Sequence, residues 1–139
     1  MKTTLLIVLA IFLAMQFKQI DKTNEETAKE LEIKAPDNIM ILLKNACYNC
    51  HSNEVKWPWY SNIAPFSWII DDHVKNGRQA LNLSLWENYS VEEKKKQLKE
   101  IYRTAYASMP LPSYIRFHEE ADLTREQRTM IRDWTGVRK

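Results

Sequence analysis

Residues 36–51 read Pro36-Asp37-Asn38-Ile39-Met40-Ile41-Leu42-Leu43-Lys44-Asn45-Ala46-Cys47-Tyr48-Asn49-Cys50-His51, and the fold is decided here. Ile39, Leu42, Leu43 and Ala46 recur at the three- and four-residue steps of one helix face, and Asp37 can cap that helix after Pro36. The helix runs straight into the cysteines, so the thiols sit at its C-terminal end. Side chains three apart on a helical turn face the same way. Both thiols can then reach the two vinyl groups of one porphyrin edge, and the adjacent imidazole can swing beneath its iron. The spacing predicts one haem c bound covalently through Cys47 and Cys50, with His51 as a metal ligand.

Other chemistries of the same spacing fit less well. The chain holds only two cysteines, and a pair this close cannot staple a secreted disulfide framework. A redox dithiol belongs in a βαβ setting, for which the sequence has no pattern. A zinc site needs two further ligands, and His73 and His118 are too far apart to be the usual close pair.

Working outward, 139 residues with two glycines, few Val/Ile/Thr alternations and abundant Leu, Lys, Glu and Ala favour helices over sheet. The expected architecture is all-α: a small cytochrome c-like domain of about four helices wrapped around one haem. Lys and Arg number 20 against 18 Asp and Glu, a formal charge of +2, which gives no field suited to nucleic acid. Residues 1–20 form a signal anchor or signal peptide, with Lys2 preceding an apolar run over 3–17. About 15 apolar residues at roughly 1.5 Å each fall short of a hydrocarbon core of roughly 30 Å. Lys2 and Lys18 can snorkel to stretch the span, so an uncleaved anchor is the first expectation and cleavage the alternative. Residues 21–35 read as a polar tether, and 36–139 as the haem-binding domain.

Beyond the motif, residues 57–65 carry two prolines among aromatics and read as a packed loop. A second helix is expected from Pro65 through Val74, ended near Gly77, with Ile69, Ile70, His73 and Val74 on one face. Ser90 with Glu93, and Thr124 with Gln127, signal the starts of two more. Val91, Leu98, Ile101, Tyr102 and Ala105 supply one apolar stripe, and Leu123, Met130, Ile131 and Trp134 the other, with Gly136 just past its end.

Met109 is the expected sixth iron ligand. A residue before proline avoids the α region, so Met109 should leave its helix as extended chain, and Pro112 should keep the next stretch from becoming helical. A soft sulfur there raises the reduction potential. Its ordinary alternative is a flexible core filler, the role expected of Met40 and Met130. His73 is the rival ligand, its alternative a buried hydrogen-bonded histidine, and His118 belongs to a polar surface run. Trp57, Trp59, Trp68 and Trp86 are expected to include walls of the pocket, and Arg78 or Lys56 to pair with propionates.

Cys47-Tyr48-Asn49-Cys50-His51-Ser52, then Trp59-Tyr60-Ser61, Ala64-Pro65, His73-Val74, Gly77-Arg78, Leu81-Asn82-Leu83-Ser84-Leu85-Trp86 and Met109-Pro110 with Tyr114 form an ordered series. The series resembles the bacterial haem-binding domain family of small tethered c-type cytochromes over residues 36–136, with Ser108 standing where glycine would be expected. The resemblance implies haem at Cys47, Cys50 and His51, with Met109 distal. The expected function is a single-haem electron carrier and not an enzyme. It would be held on the periplasmic side of the inner membrane by residues 3–17 and exchange electrons with protein partners the sequence does not name. The alternative is a haem peroxidase or gas sensor with an open iron position.

Overall fold

The computed structural model describes residues 1–137 and is helical throughout, with no strand among them. Seven helices follow in order: α1 (Lys2–Met15), α2 (Asp37–Ala46), α3 (Tyr48–His51), α4 (Phe66–Ala80), α5 (Val91–Ala107), α6 (Pro112–Ile115) and α7 (Arg125–Trp134). Four of them, α2, α4, α5 and α7, make the body of the domain, as the periodicities lead one to expect.

α2 is the spine. Ile39 and Leu43, one turn apart, enter a core with Ile33, Tyr48, Leu83 and Trp86. Leu42 faces a second core made by Ala105, Leu123 and Ile131, with Ala46 and Ile101 packed against it. Each large apolar side chain so buried contributes roughly 1.5–3 kcal/mol, and two cores on adjacent faces of one helix fix its rotation.

Both capping boxes form as expected: Ser90 with Glu93 opens α5, and Thr124 with Gln127 opens α7. Gly136 ends α7 at φ +68°, the left-handed geometry glycine adopts without cost. Several local expectations are overturned. Asp37 is the first helical residue of α2 and Pro36 occupies the cap position without a side-chain bond. α2 does not run unbroken into the motif, since Cys47 (φ −122°, ψ −38°) kinks the chain and the motif forms its own turn, α3. α4 continues past Gly77 to Ala80. Pro112 starts a short helix where it was expected to prevent one, because its missing N–H and fixed φ suit a first helical position. Val91 and Met130 face solvent.

The expected tether is instead fastened to the domain. Asn24 exchanges two hydrogen bonds with the backbone of Val55 (3.0 and 3.1 Å) and accepts a third from Arg78 (3.0 Å). Ile33 N donates to Leu83 O at 2.9 Å. α1 stands apart, its apolar side chains exposed all round. Among the described residues no helix is long and apolar enough to cross a membrane.

Candidate functional site

α3 is held from three sides. Tyr48, 2% exposed, points into the first core and its hydroxyl donates to Glu32 at 2.8 Å. Asn49 points the other way, donating to the Tyr114 hydroxyl at 2.6 Å and accepting from Lys56 N at 3.0 Å. Past the turn, Ser52 Oγ donates to Tyr48 O at 2.8 Å, while Ser52 O accepts from Arg78 Nε at 2.8 Å. The two variable positions of Cys-x-x-Cys-His therefore position the three chemical ones.

The third side is α4, which comes so close that a Cβ on Gly77 would stand 2.3 Å from Cys50 O. This approach brings the Gly77 and Leu81 carbonyls to 2.9 and 3.2 Å from His51 Nδ1. A carbonyl only accepts, so Nδ1 carries the proton and Nε2 keeps its lone pair. Burial pulls the His51 pKa below its ordinary value, outweighing the two carbonyls, and the ring is neutral at pH 7.

His51 borders two apolar cavities, of about 270 and 220 Å³. Ala46, Ala80, Met109 and Pro110 line both; Cys50 opens onto the larger and Cys47 onto the smaller. Together they fall in the range of a cofactor-sized site, roughly 300–1,000 Å³. A bare imidazole nitrogen, two thiols and a thioether around a largely apolar space suit a haem. Burial, and secondarily Cys50, pushes the Cys47 thiol up to about 12, and burial raises Cys50 as well. Both thiols are protonated at neutral pH, unlike the thiolates of a redox dithiol.

Met109 is fixed through its backbone. Its N–H donates to Thr104 O at 2.9 Å. Its carbonyl accepts from Arg128 Nη1 at 2.6 Å, and the same guanidinium bonds Ala105 O at 2.6 Å and Leu123 O at 3.0 Å. Arg128 thereby satisfies carbonyls at the end of α5 that the helix leaves unpaired. The sequence reading passed over Arg128, Asn49 and the close approach of Gly77.

This is the architecture that a family profile reads as well: the haem-binding domain matches residues 10–136. The chain belongs to the haem-binding domain family. No match was found among curated proteins or solved structures. Haem is thus the cofactor that this family domain binds, and the all-α fold expected from composition and periodicity is the fold observed.

Other expected residues fall elsewhere. His73 borders the larger cavity and a neighbouring groove. His118 does not belong to a polar surface: it stacks on Tyr114 with ring centres 4.1 Å apart, and its Nε2 lies 2.8 Å from the Tyr60 hydroxyl. None of the four tryptophans lines the His51 cavities. Trp86 is core, Trp57 and Trp68 bond the carbonyls of Lys22 and Lys18, and Trp59 lines the neighbouring groove. The aromatic walls are Tyr60 and Tyr114. Arg78 is committed to Ser52 and Asn24, which leaves Lys56 at the cavity rim.

Proposed function

We propose that the chain is a single-haem c-type electron carrier, in which Cys47 and Cys50 would hold the haem through thioethers and His51 and Met109 would ligate its iron. We further propose that residues 3–17 hold it on the periplasmic side of the inner membrane. The observation that carries this reading is the His51 ring, locked through Nδ1 by two carbonyls so that Nε2 keeps its lone pair on a side chain that borders both cavities.

The bound haem supplies one-electron chemistry at its iron. The Gly77 and Leu81 carbonyls fix the tautomer of His51 and raise the basicity of Nε2. The Met109 sulfur would favour the reduced state, and the Arg128 contacts to its loop limit the reorganisation that accompanies a change of charge. Pro110, Leu111 and Ile101 give the cavities apolar lining. With His51 and Met109 both holding the iron, no position would be left for a substrate and the protein would only transfer electrons.

Intact mass and haem staining of the denatured protein test the attachment, because thioethers survive unfolding. A mass equal to that of the bare polypeptide after maturation refutes it. In the oxidised protein a sulfur-to-iron charge-transfer band that vanishes in Met109→Ala supports the sixth ligand. A high-spin spectrum with rapid CO binding in the wild type would instead indicate an open position, suited to a peroxidase or gas sensor.

A further inference from the structure

α1 leaves the domain at a fixed point. Gln16 bonds both backbone groups of Ala64, at 2.9 and 3.1 Å. Two residues on, Lys18 O accepts from the Trp68 indole at 2.9 Å and the Lys18 ammonium lies 5.5 Å from the same ring's centre. Ala64 and Trp68 straddle the start of α4. Beside this exit Trp59, Phe66, Ile69 and Phe117 are 71, 57, 50 and 65% exposed, and they line one apolar groove. Phe17, between the two clamps, is 91% exposed. Contiguous large aromatics on a water-facing surface mark a contact.

We propose that this face rests in the lipid interface of the membrane, with Phe17, Trp59, Phe66 and Phe117 inserted at headgroup level beside α1. The proposal rests on α1 being the anchor proposed above. Three observations select lipid as the occupant. The 14 residues of α1 reach about 21 Å, against a hydrocarbon core of roughly 30 Å. Sinking the adjoining aromatic face brings the C-terminal end of α1 below headgroup level and makes up the shortfall. Trp and Phe at the border of an apolar helix have the chemistry of interfacial residues. Lys18 and Arg116, both exposed, set cations beside Phe17 and Phe117, where anionic headgroups lie. Of the nearby acids, Asp71 pairs with Lys75 and Glu120 with His118. Tyr60, Ile70, His73 and Tyr114 line both this groove and the larger His51 cavity, so one side of the cofactor site faces the bilayer.

The test uses the full-length, haem-loaded protein in vesicles of phosphatidylcholine with a minority of phosphatidylglycerol. Flotation reads anchoring, and hydroxyl-radical footprinting reads side-chain exposure, with Tyr106 and Ile41, exposed away from the groove, as internal references. The expected result is a floating protein whose Trp59, Phe66 and Phe117 oxidise several-fold more slowly, relative to the references, than their exposure in the free domain dictates. Protection should persist when the protein is diluted among lipid. A floating protein with these residues fully reactive overturns the lipid face and leaves the anchor standing. Protection lost on dilution overturns it in favour of a second copy. Failure to float overturns the anchor, and the lipid face with it.

Discussion

Gly77→Ala tests the geometry of the whole site with one methyl group. The added Cβ would lie 2.3 Å from Cys50 O, 3.0 Å from Cys50 C and 3.1 Å from Cys50 Cβ. All three atoms belong to Cys50 near its backbone, so no distant flexible side chain can turn aside. Ordinary contact is restored only if α3 and α4 part by about 1 Å. The bond from His51 Nδ1 to Gly77 O, now 2.9 Å, spans the same gap and would pass out of hydrogen-bond range if it took the full displacement. Overpacking costs about 1–3 kcal/mol, and the lost bond about 1 kcal/mol more. The better helix propensity of alanine returns roughly 1 kcal/mol. The net expectation is a destabilisation of about 1–3 kcal/mol. It should be accompanied by a changed axial ligand field at His51. Denaturant unfolding with optical spectra of the haem-loaded protein measures both. Gln79→Ala, exposed on the same helix, should be near neutral. A Gly77→Ala protein as stable as the wild type, with an unaltered spectrum, would refute the proposed approach of the two helices.

Arg128→Met should free the Met109 carbonyl without touching its sulfur; the charge-transfer band should weaken and become heterogeneous, read by absorbance of the oxidised protein. Leu43→Ala, at a site 1% exposed, should cost about 2–5 kcal/mol in chemical denaturation. The apo-protein should lose stability as pH rises above 9.0, the ordinary thiol value, because unfolded Cys47 ionises there while the folded thiol holds its proton to about 12. Tyr48, raised by burial, extends the loss above pH 10, and thioether formation should remove the Cys47 part in alkaline unfolding curves. Below about pH 6.5 the apo-protein should weaken too. Unfolded His51 takes up a proton that the folded ring, its pKa lowered by burial, resists, so this stability is lost as pH falls through the folded value.

What could be read from the sequence was whatever depends on neighbours along the chain. The Ser90–Glu93 and Thr124–Gln127 boxes are signals three positions apart, and Ile39, Leu42 and Leu43 declare the apolar side of α2 by spacing alone, though not its division between two cores. The motif likewise announces its chemistry in five residues. The support of that motif was hidden because its partners are backbone carbonyls delivered by distant elements. Gly77 reads as a helix end until α3 is laid against it, and Arg128 reads as one more surface cation until the end of α5 and the residues after it bring the Ala105 and Met109 carbonyls to it. The tryptophans misled for a related reason. The indole N–H groups of Trp57 and Trp68 are spent on the carbonyls of Lys22 and Lys18, a task that leaves no trace in composition.

The two cores on α2 have unequal relations to the cofactor space. Ala105, Leu123 and Ile131 border the smaller cavity, whereas Ile33, Ile39, Leu43, Leu83 and Trp86 touch neither. A haem in that space would therefore press on one flank of α2 and leave the packing of the other untouched. Tyr48 belongs to that second group, so the turn that carries the two thiols would keep its place whichever way the opposite flank adjusts to a wide planar guest.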